Sequence, residues 1–342
     1  MTNRAPIRTP RNVPAHDGDV TLAVLLDGVV RDVHDDTAFD DLARLLNEAR
    51  HGQGMVWIDL VDPSAAQVAR AADLLGLHPL IAEDILEGNQ RPKLEATDDV
   101  IHIVLFALDD SSDLQAHEID LVIGNGFLLS SHPAAWNPRG GAHFRDGLAG
   151  LMRSGPDHLL WAICDEVVDA YFPFADRLED TIDALQDAVM ERTDRDTLKR
   201  VFALKRQLID VRRAVSPVRE VLNQLTNRDL ALIDAGEILY FRDIYDHVIR
   251  LTDELDNDRE LVTATLDVYL SQVNNNLSAI MKRLTGVTVI IAGVGAIAGI
   301  FGMSEAGLAF SGGEAVGFWA VAIATIAVSA FAALVLRRLG WI

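Results

Sequence analysis

Apolar positions change their rhythm twice along the chain. From about residue 20 to 135 they come in short runs with β-branched content, divided by polar turns. The runs Val20–Leu26, Met55–Val61, Val100–Leu108, Glu118–Gly124 and Gly126–His132 are predicted strands. Gly124-Asn125-Gly126 supplies a hairpin turn between the last two. Between the strands, Ser64–Gly76 follows Asp62-Pro63 as a helix with a good start, and His78–Gly88 reads as a second helix. Strands and helices do not alternate strictly, which predicts an α+β fold with a mixed sheet.

From about Pro156 the period becomes helical. Asp176, Asp180, Asp183 and Asp187 recur at three- and four-residue steps and form one acidic helix face. The next helical stretch carries Lys199, Arg200, Lys205, Arg206, Arg212, Arg213 and Arg219, which predicts an antiparallel helix pair of complementary charge and a surface that attracts cations. After Gly236 one pattern runs through Phe241, Ile244, Val248, Leu251, Leu255, Val262, Leu266, Tyr269, Val273, Leu277, Ile280 and Leu284. It predicts a long stalk helix that passes without a turn into an uncharged stretch.

That stretch, Leu284–Met303, has the length needed to cross a bilayer as a helix, and so does Val316–Leu336. Lys282 and Arg283 precede the first span, and Arg337 and Arg338 follow the second, while the joining loop carries only Glu305 and Glu314. The positive-inside rule places both termini in the cytoplasm and the loop outside. Trp319 and Trp341 fall near the interfaces. The first span is rich in glycine, and Gly295 to Gly299 forms a small-xxx-small pair suited to close helix approach. Two spans cannot enclose a pore, so conduction implies an oligomer. The predicted organisation is a disordered leader (1–19), a cytoplasmic α/β domain (20–155), a helical stalk (156–283), a first span (284–303), an outer loop (304–315), a second span (316–336) and a basic tail (337–342).

Charge and composition narrow the chemistry. A formal charge of -21 argues against nucleic acid and suits cations. The single cysteine, Cys164, excludes an internal disulfide framework and a Cys-rich zinc site. The polar, Pro-rich N-terminus lacks the apolar core of a secretory signal. No HExxH, P-loop or GxSxG occurs, and the histidines are scattered, so an enzyme is not expected. GVGAIAG in the first span lacks the strand that a dinucleotide fingerprint requires. His78, His102 and the neighbours His117 and Glu118 read as structural residues.

Nearly the whole chain after the leader resembles the CorA family of magnesium/cobalt transporters, including its zinc-transporting ZntB branch. The similarity is carried by WIDLVDP, HPLIAEDIL, RPKLE, LLWAICDEVVDAYFPFADRLEDTID, LKRQLIDVRRAVSPVREVL, YFRDIYDHVIRLTDELD, LDVYLSQVNNNLSAIMKRLT and the terminal RRLGWI. The resemblance implies a funnel-shaped homopentamer in the inner (cell) membrane, with the first span lining a pore and the second forming an outer ring. It implies transport of Mg²⁺ and Co²⁺, with Zn²⁺ or Ni²⁺ as other possible cargo. It also implies gating by cytoplasmic Mg²⁺ bound between subunits. Zinc transport coupled to protons, or a cation sensor that does not conduct, are the alternatives.

The family's first span ends in Gly-Met-Asn. Here the triplet is Gly302-Met303-Ser304, so the outer mouth comprises Gly302, Met303, Ser304, Glu305 and Glu314 with serine in place of asparagine. Mg²⁺ gives up its waters reluctantly, so a ring of neutral oxygens can hold it through those waters. A serine ring is wider and its acceptors weaker, and the glutamates can supply compensating potential. Family alignment places Ser278, Met281, Thr285, Thr288, Ala292 and Gly295 on the pore wall, with Asp267 as an acidic ring near the cytoplasmic entrance. Gly293 stands where the family often has proline. The matching regulatory residues are Glu83, Asp84, Asp165 and Asp243, whose mutual repulsion across an interface a cation would relieve.

Overall fold

A computed structural model of the chain describes residues 18–34, 37–51, 54–109, 115–145, 147–191, 194–303 and 314–341. They form two compact units. One holds the sheet, the helices up to Leu185, and the chain from Lys199 to Thr263; the other holds Gln186–Leu198 and the chain from Ala264 onward.

The first unit is built on a seven-stranded sheet in the order β2-β1-β3-β7-β6-β5-β4. Its strands are β1 (Asp19–Leu26), β2 (Val29–His34), β3 (Met55–Val61), β4 (Lys93–Ala96), β5 (Val100–Asp109), β6 (Gln115–Gly124) and β7 (Phe127–His132). Only β3 and β7 pair in parallel; every other neighbour is antiparallel. The sheet is therefore mixed, as expected. Gly126, at φ +78°, makes the β6–β7 turn, where an L side chain would be strained.

One sheet face packs on α1 (Thr37–His51), α2 (Ala65–Leu75) and α3 (Pro79–Glu87). Alternate residues of β3 (Val56, Ile58, Leu60) meet Leu42, Leu46, Val68, Leu75, Ile81 and Ile85 there. α2 starts with a capping box: Ser64 accepts from the Gln67 backbone, and Gln67 Oε1 accepts from Ser64 N at 2.9 Å. α3 is capped by His78, which accepts from Leu80 N, so this histidine is structural, as the sequence suggested.

The other face carries a short 3₁₀ turn at Pro138–Gly140 and the helices α4 (Ala142–Arg145), α5 (Leu148–Ser154) and α6 (Pro156–Asp169). Here Trp57 Nε1 donates to Ser130 Oγ at 2.9 Å, Ser130 donates to Asp59 at 2.5 Å, and His132 Nε2 lies 3.1 Å from the same Asp59 oxygen. The carboxylate sits between serine and histidine, and all three are buried, so the set fixes the sheet centre and is no hydrolytic triad.

The helical remainder comprises α7 (Phe172–Glu191), α8 (Arg195–Asn227), α9 (Ile238–Met303) and α10 (Glu314–Arg338). α9 is a single helix of 66 residues. Its first part buries Phe241, Ile244, Val248, Leu251, Leu255 and Val262, the predicted stripe. In the second unit Tyr269 donates to Asp194 O at 2.9 Å. Farther on, Leu277, Leu284, Val289, Ile291 and Ile300 are exposed, as are Ile323, Ile326, Phe331 and Leu334 of α10. Both helices are long and apolar enough to cross a membrane, and almost none of that apolar surface is buried within the chain. Each Å² of such surface left in water forgoes about 25 cal/mol, which lipid or other subunits recover.

The charged faces of α7 and α8 both meet α9. The acids of α7 face acids of α9: Asp176 and Glu179 lie by Glu254, and Glu179 and Asp183 lie by Asp258. The basic α8 forks Arg212 onto Asp256 of α9, at 2.7 and 3.1 Å. Spacing shows which residues share a helix face but not which helix that face meets.

Candidate functional site

The structure gathers two of the four expected regulatory residues, Asp165 and Asp243, around the C-terminal end of α6 and the first turns of α9. Asp165 is 9% exposed, and its Oδ2 lies 2.6 Å from His143 Nε2 of α4. One turn later α6 presents Asp169, and α9 presents His247. One ligand atom from each of Asp165, Asp169 and His247 lies within 4.8 Å of the others. Asp243, exposed one turn before His247, has its Oδ2 3.9 Å from His247 Nε2. Phe172 packs edge-on against the His247 ring at 6.0 Å, which limits the ring's rotation.

Two carboxylates, an imidazole and a further carboxylate at the rim make a set that can hold a dication. Desolvation comes first and the neighbouring Asp165 second among the causes that raise the Asp169 pKa, with Asp243 adding to them against the pull of His247 and His143. The cluster is short of positive charge, and a cation would relieve it. Cys164, next to Asp165, is wholly buried, and burial pushes its thiol far up, so it is inert as a ligand.

Asp165 and Asp243 thus come together in one protomer, through Asp169 and His247. Neither of these is among the residues expected from the sequence. Their signal was present: Asp165/Asp169 and Asp243/His247 are each spaced by one helical turn. Glu83 and Asp84 stand elsewhere. Glu83 is exposed on α3, while Asp84 is bonded to Lys93 Nζ at 2.6 Å and to Gln90 Nε2 at 2.9 Å.

Along α9, Ser278, Met281, Thr285, Thr288, Ala292 and Gly295 are all exposed within the protomer, and so is Asp267 earlier in the helix. The Thr285 hydroxyl donates to Met281 O and the Thr288 hydroxyl to Leu284 O, each at 2.8 Å. With the proton committed to the helix, each oxygen presents only lone pairs outward. Such oxygens accept from the waters of a hydrated cation. Of the residues expected at an outer mouth, Gly302 and Met303 end α9 and Glu314 opens α10, so Glu314, expected in the loop, lies in a first helical turn. Ser304 and Glu305 lie outside the described residues.

Residues 52–338 match the family described as "CorA-like Mg2+ transporter protein". The cobalt/magnesium transport protein CorA of Thermotoga maritima is 35% identical over 256 residues, covering 72% of this chain and 72% of that protein. The zinc transport protein ZntB of Cronobacter sakazakii is 26% identical over 328 residues, 92% of each chain. Among solved structures, the complete CorA magnesium transporter of Methanocaldococcus jannaschii superposes with a TM-score of 0.77 at 24% identity, covering 96% of this chain and 100% of that one.

Proposed function

The chain belongs to the family of CorA-like Mg2+ transporter proteins, and from that premise we propose that it carries divalent cations, Mg²⁺ foremost and Co²⁺ with it, through a homo-oligomer embedded in a membrane. The observation that carries this reading is α9 itself. One unbroken helix has a packed amphipathic stripe in its first part and an exposed apolar surface with outward-accepting hydroxyls in its last. An assembly around an axis turns such a helix into a pore wall. We take the assembly to be a pentamer in the inner membrane, with both termini cytoplasmic, as the basic flanks favour.

In this reading Ser278, Met281, Thr285, Thr288, Ala292 and Gly295 line the pore, and Asp267 draws cations to its cytoplasmic end. Gly302, Met303 and Ser304 form the outer constriction, with Glu305 and Glu314 near it. Asp165 and Asp169, with Asp243 at the rim, bind cytoplasmic Mg²⁺ through carboxylate oxygens and its retained waters, His247 faces those waters rather than the ion, and Glu83 and Asp84 of a neighbouring subunit complete the oxygen shell. Bound cation cancels carboxylate repulsion and holds the closed state; its loss loosens the ring.

Reconstituted vesicles test the proposal with Mg²⁺, Co²⁺, Ni²⁺ and Zn²⁺ in parallel, each with and without a pH gradient. Mg²⁺ and Co²⁺ uptake without need of a proton gradient is expected, and Ser304→Asn should sharpen the preference for Mg²⁺. Flux of Zn²⁺ alone, driven by protons, would favour the second reading, which the end-to-end similarity to a zinc transport protein keeps in view. Absence of flux for every ion would leave a cation sensor and end the transport reading.

A further inference from the structure

We propose that Asp84, Glu95 and His102 form a binding site within one protomer for a transition-metal dication of the Zn²⁺, Co²⁺ or Ni²⁺ kind, which shares only Asp84 with the regulatory shell proposed above. The site does not depend on whether the chain conducts.

The sheet register assembles it. Glu95 of the edge strand β4 stands directly opposite His102 of β5, and Lys93 stands opposite Val104, so all four point to the face that α3 covers. From α3 comes Asp84. One ligand atom each of Asp84, Glu95 and His102 lies within 4.8 Å of the other two. His102 is 0% exposed, whereas the side chain of Asp84 is 19% exposed and that of Glu95 57%. The arrangement is a shallow cup with imidazole at its floor and a carboxylate open to solvent at its lip.

The floor has the wiring of a metal ligand. His102 Nε2 lies 3.0 Å from Oδ1 of the wholly buried Asp120 on β6. Nδ1 is buried and has no hydrogen-bond partner among the described residues. An imidazole that donates its Nε2–H to the Asp120 carboxylate keeps its lone pair on Nδ1. A carboxylate behind an imidazole with its second nitrogen free is the usual backing of a metal-bound histidine, fixing tautomer and ring angle. A core histidine satisfied at both nitrogens would not leave a buried lone pair unused.

A protein cation already stands at the carboxylates. Lys93 Nζ lies 2.6 Å from Asp84 Oδ2 and 3.1 Å from Glu95 Oε1. The two anions therefore prefer positive charge between them, and the imidazole lone pair stays unmet. A dication that displaces Lys93 gains all three ligands. Imidazole nitrogen favours Zn²⁺, Co²⁺ and Ni²⁺, whereas Mg²⁺ takes an oxygen shell. Zn²⁺ distances of about 2.0–2.2 Å need the ligands drawn inward, which the exposed Glu95 on a four-residue edge strand can provide. Occupancy would tie α3 to the sheet edge and draw Asp84 off any neighbouring subunit.

The test is calorimetric titration of metal-stripped, full-length protein in detergent with Zn²⁺ and, separately, Mg²⁺. Wild type should bind Zn²⁺ at this site, and His102→Phe and Asp120→Asn should weaken it by about 10- to 100-fold while Mg²⁺ binding holds. Lys93→Met, which removes the competitor, should tighten it. Glu95→Gln, a change at an exposed position, should weaken Zn²⁺ as well and decides the matter if the buried variants do not fold. An unchanged Zn²⁺ isotherm in Glu95→Gln and His102→Phe would overturn the site. Equal loss of Zn²⁺ and Mg²⁺ binding would also overturn it, by placing the effect outside these ligands.

Discussion

Asp258 of α9 is 4% exposed, and its Oδ2 has no hydrogen-bond partner among the described residues. Burial, then Glu254, Glu179 and Asp183, raise its pKa from 3.8 to about 6. Across that interval the folded chain holds a proton that the unfolded chain has released, so stability falls as pH rises through the interval and stays reduced above it. Asp258→Asn should therefore melt higher than wild type at pH 7.5, with the gain fading as pH drops from about 6 toward 4. A lower melting point at neutral pH would show that the carboxylate makes a favourable contact. This residue was hidden in the sequence among Asp253, Glu254, Asp256 and Glu260, because periodicity cannot say which of several acids an interface covers. The same limit hid His102: a strand pattern shows that its side chain is buried, while its bond to Asp120 and its closeness to Glu95 and Asp84 arise only from register. Asp165 and Asp243 come from the family resemblance, and their one-turn spacing to Asp169 and His247 is the signal in the sequence that adds the other two.

Among elements, the legible ones are those whose burial is uniform along their length. β1, β3, β5, β6 and β7 are covered on both faces or nearly so, and their apolar runs stand out. β2 and β4 are edge strands with charged residues, VVRDVH and KLEA, too polar or short to register. α1 is absent from the predicted elements, although Phe39, Leu42, Leu45, Leu46 and Ala49 bury one face of it. α9 was foreseen as a whole, since its stripe gives way to an uncharged run with no breaker. Its hydroxyl geometry gives the prediction proper to this scale. Thr288→Val keeps the volume and removes the acceptor, and should lower Mg²⁺ flux by about fivefold, the worth of roughly 1 kcal/mol. Thr288→Ser should retain it. Size-exclusion chromatography checks that assembly is unchanged, and a Val variant with wild-type flux would remove Thr288 from the cation path.

For the whole molecule, the regulatory proposal predicts that added Mg²⁺ protects the chain from limited proteolysis by closing the assembly. Asp243→Ala should raise the Mg²⁺ concentration needed for half protection by about tenfold, within the usual range of ligand-linked coupling. A wild-type protection curve would detach Asp243 from closure. The sheet's one parallel seam has a further consequence, for how the chain is made. β1, β2 and β3 pair among themselves, and β4 to β7 form a second antiparallel meander. The two join only where β3 meets β7. As synthesis proceeds from the N-terminus, the first half-sheet must wait with the β3 edge open until Phe127–His132 emerges. Closing that seam demands the longest loop in the sheet, so it should set the pace of folding. Order of synthesis nonetheless brings Phe127–His132 off the ribosome well before Leu284, so the seam can close before the first apolar span emerges beside an unpaired edge.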